Sequence, residues 1–303
     1  MNGIRHLKRK EIDTSKWDAC IAASPNGLIY SYSLYLDAMA TNWDGLVLND
    51  YEAVMPLTWR RKGWIYYLYQ PLLTAQTGIT GPKINEEIVR LFLASVPKSF
   101  RYWDIYLNNS NGYALKDFPM QWRNNLVLSL ASSYDQLWSS YRKNTQRNTT
   151  KAKGYGCYAK KDVPVREVLA LAQAYTPGLA GHANELSRFE QLFQTLREKG
   201  SAVTYGCFSA DHQLLSAAVF LFSNGRSYYI LAGNHPNGKT LGASHLLIDR
   251  FIADHAGQDL LLDFEGSDLP SLAFFYTGFG GTEERYPVIL LNRLPFYARW
   301  LKS

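Results

Sequence analysis

Apolar residues recur along this chain at two periods, and each change of period marks a new element. In ASHLLIDRFIADHAG, Leu246, Leu247, Phe251 and Ile252 fall at helical spacing, which predicts an amphipathic helix. The runs on either side, RSYYILAG and DLLLDFEG, are short and apolar, as strands inside a sheet are. NHPNGKTLGA reads as a glycine-punctuated turn between strand and helix, and SLAFFYTGFGG as a short closing helix. Arg226 to Gly281 therefore forms one unit of strand, turn, helix, strand and short helix. A turn that ends on a helix N-terminus presents unpaired N–H groups and the positive end of the helix dipole. That makes Gly233, Asn237, Gly238, Lys239, Thr240 and Gly242 the candidates for holding a phosphate-bearing cofactor. Chemistry in open α/β sheets gathers at strand ends, which brings in Asp263 and Glu265.

The same order occurs earlier in the chain. GLVLND and EAVMPLTW meet at Asp50-Tyr51 and are followed by RKGWIYYLYQPLLTAQTG, a helix INEEIVRLFLASV and a strand RYWDIYL. In the second half AVTYGCF and LLSAAVFLF lead into the unit already described. Tyr66-Tyr67 and Tyr228-Tyr229 each lie three residues beyond a glycine, Gly63 and Gly225, which sets one register on equivalent strands. A repeat this long is too large for a solenoid and predicts two related domains, 1–150 and 151–303.

Composition narrows the class. At 303 residues and 47% hydrophobic content the chain can bury two cores of ordinary size. MNGIRHLKRKEID lacks the apolar segment of a signal peptide, and runs such as SAAVFLF are far shorter than a membrane span, so a cytoplasmic protein is expected. Cys20, Cys157 and Cys207 are unclustered, giving neither a disulfide framework nor a metal site. Charge is more informative. Seven basic residues and no acidic ones lie between Arg142 and Lys161, against a net charge of +6 for the whole chain. Lys143, Arg147 and Lys151 recur every four residues, along one face of a helix. They are either a solvated face or a seat for a phosphorylated substrate.

Residues 233–240, GNHPNGKT, also fit the P-loop pattern, and LLLD resembles the strand that holds magnesium in nucleotide hydrolases. Pro236 removes a donor from the nest such a loop needs, and too little chain follows Asp263 for the further strands of that fold.

The element order resembles the GNAT N-acyltransferase fold: one strand, two helices, three antiparallel strands, a helix, a strand, a short helix and final strands. A-F-F-Y-T-G-F stands where that superfamily shows an alanine, then a tyrosine, then Gly-Phe. Two such domains in tandem, with the basic YRKNTQRNTTKAKGYG segment and LDFEGS followed by FYTGFGG, resemble the Fem family of peptidoglycan peptidyltransferases. The resemblance implies an α/β (α+β) fold of two tandem GNAT-like domains, each a mixed, mostly antiparallel sheet flanked by helices. It also implies transfer of an acyl or aminoacyl group to an amine, of a small molecule or a cell-wall precursor. Tyr276 then protonates the leaving group, and Glu265, with His235 second, accepts the amine's proton. Asp263, Lys143, Arg147 and Lys151 are placed on the substrate side.

Acyl-CoA is the expected co-substrate, with no cofactor tightly bound. Transfer RNA is not favoured, because no charged heptad insertion appears in the second domain. The usual pyrophosphate loop is imperfect, since Lys-Thr-Leu separates Gly238 from Gly242 with no glycine between. After Leu107 the first domain runs NNSNGYALKDFP, without a counterpart of Tyr276, which makes that domain degenerate and acceptor-side and the second catalytic. Two alternatives stand beside transfer: a Fem-like protein that binds a ligand without chemistry, and a nucleotide hydrolase through GNHPNGKT.

Overall fold

A computed structural model describes residues 3–176, 178–266 and 268–295. The chain divides into two compact units, Met1–Asn124 with Arg285–Ser303, and Asn125–Glu284. In order, the elements are β1 (Ile4–Lys8), α1 (Thr14–Ala22), α2 (Ser33–Met39), β2 (Trp43–Leu48), β3 (Ala53–Lys62), β4 (Ile65–Leu68), α3 (Glu86–Ser95) and β5 (Phe100–Tyr106). Then come β6 (Met120–Ser129), α4 (Tyr134–Ser140), α5 (Lys143–Gly154), β7 (Tyr158–Lys161), α6 (Val165–Tyr175), α7 (Ala183–Glu198), β8 (Ala202–Phe208), β9 (Leu214–Ser223) and β10 (Arg226–Asn234). The chain ends through α8 (Pro236–Leu241), α9 (Ala243–His255), β11 (Leu261–Asp263), α10 (Pro270–Thr277) and β12 (Thr282–Asn292).

Each unit is a mixed, mostly antiparallel sheet with helices against it. In the first, β1 to β4 pair antiparallel in chain order, β5 joins β4 in parallel after α3, and β12 pairs antiparallel with β5. In the second, β7 to β10 repeat that meander, β11 joins β10 in parallel after α8 and α9, and β6 pairs antiparallel with β11. The parallel step falls in both units where a helix crosses over. Gly63 and Gly225 take φ of +60° and +67° at the equivalent hairpins, a conformation in which a Cβ is penalised.

Local chemistry accounts for the helices. Asn85 caps α3 by accepting from the Ile88 N–H, acidic Glu86 and Glu87 occupy its first turn, and Val89, Phe92 and Leu93 turn inward. The helical spacing of α9 buries Leu246, Leu247, Phe251 and Ile252 in the core of the second unit. Phe251 stacks on Phe220 of β9 with ring centroids 3.8 Å apart, a contact whose truncation to alanine costs about 3–5 kcal/mol. Gly233 pairs with Ala217, three residues from Phe220 on β9 and hence on the other face, which α6 covers. There α6 lies so close that a Cβ on Gly233 would strike the backbone of Leu171 and Ala172. Cys20, Cys157 and Cys207 are free and buried. Among the described residues no helix is long and apolar enough to cross a membrane.

Candidate functional site

Beyond β11 the chain turns sharply. The strand stops at Asp263, and Glu265 adopts φ of +63°, so the second carboxylate lies off the strand. The cause is a hydrogen-bonded turn. Asp263 Oδ1 accepts from the Glu265 N–H at 2.9 Å and from Asn125 Nδ2 at 2.9 Å, while Asn125 Oδ1 accepts from the Gly266 N–H at 2.8 Å. Asp263 Oδ2 meets Arg226 Nη1 at 2.6 Å, and the same guanidinium forks onto Glu284 at 2.9 Å through both nitrogens. Both oxygens of Asp263 are thus engaged inside the protein, where they shape the turn that carries Glu265.

Glu265 is held in an unusual state. Its Oε1 is sealed from solvent and has no hydrogen-bond partner, and burial pushes the carboxyl well above the ordinary carboxylate range. Tyr276 of α10 is 7% exposed and stacks on Phe264, with centroids 4.6 Å apart. Burial first, and then the charge of Glu265, raise its hydroxyl above the usual phenol value. Tyr229 meets Tyr276 edge-on at 6.2 Å and is raised in turn by burial and by Tyr276. A register shift between Tyr229 and Leu231 bulges β10 beside this cluster, the kind of irregularity that re-aims side chains. A buried acid in left-handed backbone, coupled to a phenol, is the sort of strained and perturbed group that gathers where chemistry happens.

The stretch expected as a turn is instead largely helical. Pro236 takes the first position of α8, where its missing N–H costs nothing, and His235 caps it by accepting from the Asn237 N–H at 3.2 Å. His235 also packs edge-on against Tyr175 at 5.2 Å. Asn237, Lys239 and Thr240 are exposed, whereas Gly238 is buried against the Leu215 carbonyl. Gly242 ends α8 and opens α9 at φ of +80°, and a Cβ there would lie 2.6 Å from the Asn148 carbonyl oxygen of α5. GNHPNGKT therefore folds as strand end, cap and helix rather than as a loop wrapped around phosphates.

The basic spacing does produce one helix, α5, and Lys143, Arg147 and Lys151 are all exposed on it. Lys151 Nζ bonds the Thr240 carbonyl at 2.9 Å, and Arg147 holds Asn144 Oδ1 at 2.8 Å. Lys153, one further residue pair along, is paired with buried Asp249 at 3.1 Å.

A cavity of about 210 Å³ opens between α5, α9 and α10, lined by Arg142, Asn144, Thr145, His245, Ser271, Phe274, Phe275 and Gly278. His245 lies edge-on to Phe275 at 4.7 Å, and burial pushes its imidazole down to about 4, so it is neutral at physiological pH. Tyr229, His245 and Thr145 escaped the sequence reading. Tyr229 stands out there only as a register marker, and a single histidine or threonine inside a helical run carries no local signal.

Comparison with known proteins agrees with this architecture. Residues 139–270 match the acetyltransferase (GNAT) domain family. The crystal structure of FemX is similar, with a TM-score of 0.65 at 13% identity over 94% of this chain and 97% of that one. A conserved protein of unknown function from Bacteroides thetaiotaomicron gives 0.61 at 11% identity over 96% and 100%. A tandem GNAT protein from the clavulanic acid biosynthesis pathway gives 0.52 at 14% over 97% and 99%. At these identities the likeness is one of fold. No curated protein matches the chain in sequence.

Proposed function

Since residues 139–270 carry the GNAT domain and the chain has the tandem, Fem-like form of that superfamily's fold, we propose that the protein is an N-acyltransferase whose reaction takes place beside β11 and α10. The donor in this reading is an acyl-CoA and the acceptor an amine, on a small molecule or a cell-envelope precursor. The amine nitrogen attacks the thioester carbonyl, a C–N bond forms, and the C–S bond of the tetrahedral intermediate breaks. Glu265 accepts the proton that the amine must lose, and Tyr276 donates one to the departing thiolate.

The coupling between the two groups orders these steps. Burial makes the Glu265 carboxylate a stronger base than an exposed one, and its charge in turn holds the Tyr276 proton on. Once Glu265 is protonated that charge is gone and Tyr276 becomes the better acid. Transfer of a proton from Glu265 to the tyrosinate then restores both groups.

What supports this reading above all is Glu265, whose Oε1 is buried without a hydrogen-bond partner and whose charge is coupled to Tyr276. Release of free thiol from acetyl-CoA and longer acyl-CoA esters, with a panel of amines, tests it. Tyr276→Phe keeps the ring on Phe264 and is expected to lower turnover by about 10²-fold with the fold intact, the usual scale for a positioned acid. Unchanged turnover per folded molecule would make the hydroxyl structural.

A further inference from the structure

The cavity between α5, α9 and α10 has a composition of its own. None of its eight lining residues carries a carboxylate, while Arg142 supplies a permanent cation and Asn144, Thr145, Ser271 and His245 supply hydrogen-bonding groups. Thr145 is only 3% exposed, yet its hydroxyl has no hydrogen-bond partner among the described residues, and it faces the cavity. That hydroxyl is not sealed in the core but opens onto the cavity, where it can donate to or accept from a ligand. Arg147 binds Asn144 through the amide oxygen, which leaves the NH2 group as the donor. The first turn of α5 adds backbone N–H groups that no side chain caps, and it contains no acidic residue. The Gly278 position keeps the wall open, because a Cβ there would strike the Thr145 hydroxyl.

We propose that this cavity binds a phosphoryl group, free or carried on a larger molecule, between Arg142 and Thr145 of α5 and Ser271 of α10. A carboxylate has two oxygens to satisfy the converging donors, whereas a phosphoryl group has three and matches an arginine fork. About 210 Å³ holds that group together with part of whatever bears it, and Phe274 and Phe275 offer an apolar wall for the remainder. The site is distinct from the turn before α9, where a phosphate is expected from the sequence. It does not depend on the acyl-transfer reading, because occupancy is measured without turnover.

Calorimetric titration of the full chain with inorganic pyrophosphate, at constant ionic strength set with chloride, tests the assignment. Thr145→Val keeps the buried shape and removes the hydroxyl, and is expected to weaken pyrophosphate at least fivefold, with Thr145→Ser restoring it. Arg142→Gln is expected to weaken it about tenfold or more, the scale of a lost charge-assisted bond. Lys199→Gln, which removes an equal charge from an exposed position elsewhere, should change it less than twofold. Competition by ADP or coenzyme A, against none, tells whether the phosphoryl group arrives on a larger molecule or free. No binding above the chloride blank would overturn the proposal. So would equal losses in Arg142→Gln and Lys199→Gln with none in Thr145→Val, since the anion would then be answering net charge alone.

Discussion

Glu265 shows how much one residue can be asked to bear. Its carboxyl is buried without a hydrogen-bond partner for Oε1, on backbone that a non-glycine residue seldom adopts. Its folded value lies above that of the unfolded chain, so the native state holds the proton more tightly. Stability from this group is complete below the ordinary carboxylate range and is lost as pH rises through the folded value. Glu265→Gln is therefore expected to raise the melting temperature at pH 7–8 and to leave it unchanged near pH 3.5. Thermal unfolding at both pH values checks this, and destabilisation at pH 7 would show that the ionised carboxylate is satisfied after all. A group that costs stability at working pH is retained for some other reason, and proton transfer is the reason proposed above.

At the scale of elements, the ends of three strands are tied by one guanidinium. Arg226 begins β10, Asp263 ends β11 and Glu284 lies near the start of β12, and all three side chains are mostly withdrawn from water. A buried ion pair contributes little net stability over an apolar replacement, but removing one partner strands the other charges. Arg226→Ala is expected to cost about 3–5 kcal/mol in urea unfolding, because two carboxylates would be left facing each other without a cation. The loss should be smaller in an Arg226→Met, Asp263→Leu, Glu284→Leu triple variant than in the single one. A single variant as stable as the wild type would mean that water reaches these carboxylates.

On the whole-molecule scale, each unit is completed by a strand that lies far away in sequence. β6 follows β5 in the chain but pairs with β11, and β12 follows β11 but pairs with β5, from Val288 opposite Tyr106 to Asn292 opposite Tyr102. Ile289 of β12 belongs to the core that also holds Trp103, Ile105 and Phe92. A chain ending at Gly281 is expected to lose protection from hydrogen exchange in β5 and to melt the first unit early, since β5 then has an open edge and its core an open side. Undiminished protection of the β5 amides would show that the first unit stands without its sixth strand.

The repeat of meander, crossover helix and parallel strand was legible because period and punctuation are local. Apolar spacing names strand or helix, and Gly63 and Gly225 mark the same hairpin twice. The basic face of α5 and the inward face of α9 were legible for the same reason. The helix α8 was within reach too, since Pro at the first position after a capping residue is a start signal, although the glycines around it read as a turn.

The turn at Glu265 was out of reach: it is made by Asn125, 138 residues before Asp263, and by Arg226 on another strand. So was the cavity at Thr145 and His245, which exists only where α5, α9 and α10 meet. Backbone preference and hydrophobic period act between neighbours in the chain, and the sequence by itself determined the elements and their repetition. Desolvation, coupled protonation and the convergence of donors on an empty space depend on which distant groups are brought within a few ångströms, and only the tertiary structure decided those.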